Sequence, residues 1–576
     1  MKVLLVTLDS KFIHANLAVR YLKKFCENDG NGVFNIEIKE FTINQQMHYI
    51  LNEIFDYNPD IICFSCYIWN IEYVKEIAYI IKEAEPKIKI LCGGPEVSFE
   101  TKKFMEESPY IDYVICGEGE ITFKEFINSI QSSNKKLNEI KGLTYRENKN
   151  IIINDSREPI DNLDLIQYPY DENEEFKDKI IYYESSRGCP FSCSFCMSSI
   201  DKRTRNFSLE RVKRDLKLLL KTKAKQIKFV DRTFNADYKR SIIIMEYIVL
   251  NNINNMTIHF EITADIINGE FLKFLEEMPV NMFQFEIGVQ SLNSETLYEI
   301  NRHMNIDKLY NVISNIGRNN NIHMHLDLIA GLPYENYKSF KESFNGIHQL
   351  NAEKIQLGFL KVLKGTKIYA DRDKHDIKYR KIAPYEVICT KYLNIKEILK
   401  LKKIEEIVEK YYNEKYFKNS LSYIINNFYY KSPFDFYEDF SEYWHKNELL
   451  KVSHSRKKLY EILYNYMSEN GKLTGEFIDK MRYDYVFNNQ YEELPKYLNR
   501  EYEDDFKFIK KKLANDDDFR SEYFRNIDKD EKIINNFRLV KIGEELMIFI
   551  FNNKNNIFNR CKTYNINHLI KGYDNE

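Results

Sequence analysis

Three cysteines stand within eight residues, at Cys189, Cys193 and Cys196, in the pattern C-x-x-x-C-x-x-C. Thiolates at that spacing reach one centre only if the chain wraps around it as a loop. The other seven of the ten cysteines are scattered. That is far too sparse for a disulfide scaffold. Most of them sit alone in apolar runs, such as Cys92 in Ile-Leu-Cys-Gly-Gly and Cys116 in Val-Ile-Cys-Gly-Glu, where a free thiol packs as a small hydrophobe. A structural zinc site needs a fourth Cys or His close by, and the next ones after Cys196 are His259 and Cys389. Four-cysteine ferredoxin spacing does not fit either. The incomplete set suits an iron–sulfur cluster that keeps one iron open.

At 576 residues the chain is too long for one core, and roughly three to five domains are expected. Lys+Arg 84 against Asp+Glu 87 leaves a net charge of −3, so no global field recruits nucleic acid or a membrane. Mean hydropathy is −0.51, and no apolar run approaches a membrane span. Met1–Asp9 turns polar too quickly for a signal peptide, so a soluble, cytoplasmic protein is expected. Residues 1–135 alternate apolar β runs (Lys2–Leu8, Asn35–Phe41, Asp60–Tyr67, Lys89–Cys92, Tyr113–Cys116) with helical stretches. That alternation predicts a parallel, doubly wound α/β domain. Residues 136–175 read as a junction: a short hairpin over Gly142–Asn154, then a turn-rich linker. Over 176–375 the alternation resumes with six strands, too few for a closed eight-fold barrel, which predicts an open partial (β/α)6 barrel. Residues 376–576 are rich in Lys, Tyr, Phe and Asn and read as mainly helical, including Leu393–Tyr412 and Glu501–Ala514, with a β pair around Phe537–Phe551.

The cysteine loop directly follows the strand Ile180–Glu184, and Phe195 precedes the last cysteine. This arrangement resembles the radical S-adenosylmethionine (SAM) superfamily, whose three-cysteine loop follows the first strand of a partial barrel. The resemblance implies that Cys189, Cys193 and Cys196 hold a 4Fe-4S cluster whose fourth iron binds SAM. Strand-end residues extend it: Glu261 in Phe-Glu-Ile, Gln290 in Glu-Ile-Gly-Val-Gln-Ser, Arg302 in Ile-Asn-Arg-His and Asp327 in Asp-Leu-Ile-Ala-Gly-Leu-Pro. These are similar to the coproporphyrinogen-oxidase-like radical enzymes, in which matching residues contact SAM. Arg302 suits the methionine carboxylate, and Glu261 and Asp327 suit amino or ribose hydroxyl donors. Where the superfamily often has glycines after the second strand, this chain reads Phe229-Val230-Asp231-Arg232-Thr233-Phe234-Asn235. Asp231 is the implied acceptor for the amino group.

Upstream, Gly93-Gly94-Pro95 and Gly117-Glu118-Gly119-Glu120 follow the fourth and fifth strands and resemble the cobalamin-binding domain fused to many radical enzymes. Glycines there let a bulky macrocycle approach the backbone. Ser65, at the end of the third strand, matches a position facing the nucleotide tail. The D-x-H-x-x-G ligand motif of that family is absent: His14 lies five residues after Asp9, with no glycine following in register. Cobalamin without a histidine on cobalt is therefore implied. Cys63-Phe64-Ser65-Cys66 lies at a strand end instead of opening a helix, so it reads as core and not as a redox pair. The basic stretch Lys202–Arg214 reads as the solvated start of a barrel helix, and nucleic acid is not indicated.

Together these resemblances imply a cobalamin-dependent radical SAM enzyme that activates a C–H bond, with methyl transfer to an unactivated carbon as the expected outcome. Rearrangement or cyclisation with the same cofactors, and a non-catalytic cobalamin or cluster sensor, are the alternatives. The implied partners are a small-molecule or peptide substrate and an external one-electron reductant of the flavodoxin or ferredoxin kind. The last 200 residues resemble an uncharacterised extension found after this two-domain core in some bacterial proteins.

Overall fold

The computed structural model describes residues 1–27, 35–132, 136–171, 174, 176–490, 492–498, 505–524, 533–551 and 561–567. Two compact units divide the chain: Met1–Ser343 with Leu350–Ala352 and Leu357–Ile398, and Phe344–Gln349 with Glu353–Gln356 and Leu399–Glu576. The segment following the barrel thus stays with the first unit as far as Ile398.

The first unit opens with β1 (Lys2–Asp9), β2 (Asn35–Thr42), β3 (Ile61–Ser65), β4 (Lys89–Gly93) and β5 (Tyr113–Ile115). They pair in parallel in the order β2-β1-β3-β4-β5. Helices α1 (Leu17–Glu27), α2 (Met47–Tyr57), α3 (Ile71–Ala84), α4 (Thr101–Glu107) and α5 (Glu120–Ser132) connect them. Val3 to Val6 and all of β3 are buried, as expected of strands covered on both faces. Two apolar cores result, one on each side of the sheet, built around Leu4, Val6, Ile62 and Phe64 and around Val3, Leu5, Ile61 and Cys63. The strand order reverses between β1 and β3, and a ligand crevice opens at such a point in doubly wound sheets.

The expected hairpin forms as β6 (Leu143–Glu147) and β7 (Asn150–Ile153). It is not a free-standing junction: β6 pairs antiparallel with β5 and extends the first sheet to seven strands. The buried faces of Leu143, Thr144 and Tyr145 explain why, because they complete the core that β5 leaves open.

The second sheet begins at β8 (Ile180–Tyr183), followed by a two-residue ribbon of β9 (Ser186–Arg187) and β10 (Arg205–Asn206) that brackets the cysteine loop. Then come β11 (Gln226–Phe229), β12 (Thr257–Ile262), β13 (Phe283–Gln290), β14 (His323–Ala330) and β15 (Lys354–Phe359), in the spatial order β15-β14-β13-β12-β11-β8. This is the open six-stranded barrel. Its helices are α6 (Leu209–Leu219), α7 (Tyr238–Asn251), α8 (Gly269–Glu276), α9 (Ser294–Glu299), α10 (Ile306–Asn319) and α11 (Tyr337–His348). Those from α6 to α10 start at Ser208, Asp237, Asn268, Asn293 and Asn305, whose side chains accept from the first-turn amides. On the outer edge, Ile180 N donates to Ile13 O at 2.7 Å and His14 bridges Ile180 in parallel, so the loop after β1 lies along β8.

The second unit packs helices Lys418–Phe428, Pro433–Lys446, Arg456–Glu469 and Gly475–Asn488 around Tyr411, Tyr437, Trp444, Tyr460 and Tyr485, all buried. The expected helix over Leu393–Tyr412 forms as Ile395–Ile407 continued by a π-helical turn, Val408–Asn413. The expected β pair is present as Phe537–Ile542 and Glu545–Phe551, joined by Cys561–Asn565. Of the helix expected over Glu501–Ala514, the part from Asp505 is present, and residues 501–504 lie outside the described residues. No helix among the described residues is long and apolar enough to cross a membrane.

Two glycines of the first sheet differ in what fixes them. Gly94 has φ +117°, and a Cβ there would lie 2.5 Å from Cys66 O; Gly117 has φ +81° with nothing within 4 Å of that position. G94A is expected to destabilise the chain by ~2 kcal/mol or more, because backbone meets backbone. G117A should cost only about 1 kcal/mol of backbone strain. Comparing the two unfolding curves in urea checks the order; equal losses would refute it.

Candidate cofactor site

The cysteine loop is shaped by bonds from outside it. Gly188 enters it with φ +87°, and a Cβ there would come 2.1 Å from Arg203 O, so only glycine fits. Ser194 N donates to Ile300 O (2.8 Å), Ser194 O accepts from Ile368 N (2.8 Å), and Asn301 Nδ2 donates to Ser192 Oγ (2.6 Å) and Ser192 O (3.0 Å). Cys189 and Cys193 are buried and Cys196 is half-buried, all three as free thiols. Burial pushes the Cys193 thiol up; Arg302 pulls it down, while Cys196 and Cys189 push it up again, so the three sulfurs share one electrostatic neighbourhood. Phe195 is half-buried beside them. Among the described residues no group of three or more His, Cys, Asp or Glu gathers as a single metal ion would require.

Arg302 joins this loop to the fourth barrel strand. Its Nη1 lies 3.7 Å from Cys193 Sγ and its Nη2 donates to Gly288 O. Gln290, at φ +71° beside a bulge in the β13–β14 pairing, folds its amide over Gly288, where a Cβ would meet Gln290 Nε2 at 2.2 Å. Gly288 is paired with Asp327 across the ladder. Burial raises the Asp327 carboxyl well above the usual range, helped by Glu286 and Glu261. Glu261 is likewise raised by burial, with Arg232 opposing. The structure therefore brings Cys193, Arg302, Gln290, Glu261 and Asp327 to one end of the barrel.

Asp231 is placed differently from the sequence expectation. It is fully buried, and its oxygens accept from Ser185 N (2.9 Å), Ser185 Oγ (2.6 Å) and Ser186 Oγ (2.6 Å). With both oxygens engaged, its carboxylate braces the exit of β8 instead of turning to a ligand.

Residues missed in the sequence line the barrel interior below. Lys228 Nζ and His259 Nε2 both lie on Glu286 Oε2, at 3.1 and 2.9 Å, and Gln284 bonds Gln226 and His325. The signal was present: polar residues fall at every second position of Gln226-x-Lys228, His259-x-Glu261, Gln284-x-Glu286 and His323-x-His325-x-Asp327. Burial lowers the His259 pKa, with the Glu286 hydrogen bond opposing. Burial opposes ionisation of Glu286, but the His259 hydrogen bond and the Lys228 charge overcome it and bring the carboxyl down to about 2.

At the crevice of the first sheet, Asn70 ties the two strand ends together, donating from Nδ2 to Leu8 O (3.1 Å) and Ser65 O (2.9 Å). Trp69, also missed, stacks on Tyr67 at 4.5 Å and stands 41% exposed there. Ser65 Oγ is buried without a hydrogen-bond partner among the described residues. Further along the sheet, at the β5–β6–β7 edge, a cavity of about 600 Å³ is lined by Ser98, Thr101, Cys116, Gly142 and Thr144, among others. Gly93 and Gly119 lie on the same sheet end, where their ideal Cβ positions meet Ile115 at 3.8 Å and Leu22 at 3.2 Å. The carboxylates of Glu118 and Glu120 are placed in ion pairs, with Arg205 at 2.7 Å and Arg187 at 2.6 Å. His14 Nδ1 lies 2.7 Å from Tyr182 Oη.

Comparison with known proteins follows this division of the chain. A family described as B12 binding domain matches residues 3–127, and the Radical SAM superfamily matches 183–346. The chain joins a B12-binding domain to a radical SAM domain. A third family, described as protein of unknown function (DUF4080), matches residues 373–557. Among curated relatives, an uncharacterized methyltransferase of Pyrococcus horikoshii is 36% identical over 195 residues, 32% of this chain and 42% of that protein. The cobalamin-dependent radical SAM methyltransferase TokK of Streptomyces tokunonensis is 24% identical over 307 residues, 50% of this chain and 45% of that protein. The chain thus spans less than half the length of either relative. Among solved structures, the cobalamin-dependent S-adenosylmethionine radical enzyme OxsB with aqua-cobalamin bound superposes at a TM-score of 0.60, with 16% identity, over 84% of this chain and 79% of that one. The radical S-adenosylmethionine methyltransferase TsrM of Kitasatospora setae, with cobalamin and a 4Fe-4S cluster bound, gives 0.53 at 16% identity, over 65% and 75%. At these identities the likeness is one of fold.

Glu286 yields a pH prediction for the radical SAM domain. Its folded pKa is below its ordinary value of 4.5, so its stabilisation is full above about 4.5 and is lost as the pH falls through about 2. That contribution is at most about 3 kcal/mol. E286Q is expected to be less stable than wild type at pH 6, with the gap closing between pH ~4.5 and ~2. Denaturant unfolding across that range reads it, and a constant gap would contradict it.

Proposed function

We propose that the chain is a cobalamin-dependent radical SAM enzyme whose expected outcome is methyl transfer to an unactivated carbon. The observation carrying this reading is that Ser65 Oγ, Arg302 Nε and Asp327 Oδ1 are buried polar atoms with no partner among the described residues. Buried polar groups are paired as a rule; fourteen further such atoms occur among the described residues, and what sets these three apart is their place. These three belong to residues expected on independent grounds to face cobalamin or SAM, so the donor set fits the groups it would hold.

Cys189, Cys193 and Cys196 would hold three irons of a 4Fe-4S cluster, the absence of a fourth ligand leaving one iron for SAM. Arg302 would pair with the methionine carboxylate, Asp327 and Glu261 would take amino or hydroxyl groups, and Gln290 would present its amide beside them. Phe195 would shield the cluster. Ser65, Gly93, Gly94, Gly117 and Gly119 would form the cobalamin face. The absent D-x-H-x-x-G motif implies that no histidine would be offered to the cofactor. When bound, the cluster supplies the electron that splits the sulfonium of SAM, and cobalamin supplies a methyl carrier. The electron would come from an external flavodoxin- or ferredoxin-like reductant.

Anaerobic reconstitution with iron, sulfide and hydroxocobalamin tests the reading. Wild type is expected to cleave SAM to 5′-deoxyadenosine, and C193A to lose both cluster absorbance and cleavage. R302A is expected to weaken SAM binding by about 10- to 100-fold, the worth of one charge-assisted hydrogen bond. A C193A protein that forms 5′-deoxyadenosine at the wild-type rate would sink the proposal.

A further inference from the structure

Arg187 lies two residues before Cys189, on the ribbon strand that leads into the cysteine loop. Its Nη2 donates to Glu120 Oε1 at 2.6 Å and to Glu184 Oε1 at 2.7 Å, its Nε donates to Glu184 at 2.9 Å, and its Nη1 lies 3.6 Å from Glu118 Oε1. Directly across the ribbon, Arg205 holds Glu118 at 2.7 Å and Asp201 at 2.7 Å. The stem of the cysteine loop therefore grips the Gly117–Glu120 loop of the B12-binding domain with two arginines. The pairs are largely out of solvent, with Arg187 at 13% and Glu120 at 6% side-chain exposure. On the opposite flank the segment after the barrel joins the same two parts. Ile368 N donates to Ser194 O, Tyr369 Oη to Glu100 (2.9 Å) and Tyr385 Oη to Glu96 (2.7 Å).

Buried ion pairs contribute little net stability, but breaking one leaves an uncompensated charge, and their best-attested use is to fix registry. Here two cations face four carboxylates, so removing Arg187 leaves Glu120 and Glu184 as neighbouring anions that repel. We propose that Arg187 is a positioning residue: it locks the Gly117–Glu120 loop to the strand end that delivers Cys189, and so sets the distance between cobalamin and the cluster. This rests on the proposed function for the identity of the two cofactors.

The test uses the full chain reconstituted with cluster and cobalamin, with pulsed EPR measuring dipolar coupling between cob(II)alamin and the reduced cluster. Wild type is expected to give one narrow coupling. R187A, with iron and cobalamin contents matched, should give a weaker and broader one. R187K, which keeps the charge but not the forked geometry, should fall between. Adding E120Q to R187A removes the repulsion and should move the coupling back toward wild type. Before reconstitution, amides of residues 113–127 should exchange about tenfold faster in R187A. Coupling and exchange both unchanged in R187A overturn the inference. If R187A takes up no cluster, E118Q with E120Q loosens the same grip from the other side, and an unchanged coupling there overturns it equally. A wild type that takes up no cobalamin overturns the proposed function instead; the exchange measurement, which needs no cofactor, then decides the loop lock alone.

Discussion

A loop that carries three thiols within eight residues has no hydrogen-bond ladder of its own, and the residue that pins this one is Ser194. Its amide is bound by Ile300 at the end of α9 and its carbonyl by Ile368 beyond the barrel. The bond to Ile300 does double duty. Asn301, next in the chain, takes the left-handed conformation at φ +53° that asparagine tolerates, bonds Ser192, and so aims Arg302 back over Cys193 and Gly288. The end of one short helix thereby sets the shape of the cysteine loop and the direction of the cation beside it.

The interior of the barrel follows a different rule. Its strands alternate strictly, with Phe283, Phe285, Ile287 and Val289 packed outward under the helices and Gln284, Glu286, Gly288 and Gln290 facing in. A charged interior is tolerable only when each charge is met, and Lys228, His259 and Glu286 meet one another. Above them, among the described residues, Asp327 Oδ1 and Arg302 Nε are buried without a partner. Polar groups that meet one another below and two unmet atoms above divide the interior into two levels.

Much of this was legible in the chain. Regular elements in the first two domains fell within a few residues of their observed ends, because apolar periodicity and glycine at strand ends are local signals. The nearness of Arg302, Gln290 and Asp327 was also foreshadowed, since Gln290 ends β13, Arg302 follows α9 and Asp327 pairs with Gly288 on the adjoining strand. What was not legible depends on distant partners. The hairpin Leu143–Ile153 reads as a separate junction until Leu143 and Tyr145 are seen completing a core begun by β5. Asp231 reads as a free acceptor until Ser185, 46 residues earlier, takes it. Glu118 and Glu120 read as part of a glycine loop, and the arginines that hold them lie more than 60 residues away. The polar stripe of the strands was present in the sequence and passed over, because a buried parallel strand is expected to be apolar on both faces.

The loop after β1 carries one more consequence. An open barrel has two bare margins, each a row of amides and carbonyls ready to recruit any extended chain that drifts past. Here the margin at β8 is occupied by Ile13 and His14, fastened by Lys179 to Phe12 O and by Tyr182 to the imidazole. The domain that comes first in the chain therefore acts as a guard rail for the barrel. A barrel severed from it would keep its cysteines but present a sticky flank, and would meet its own copies before it met a substrate.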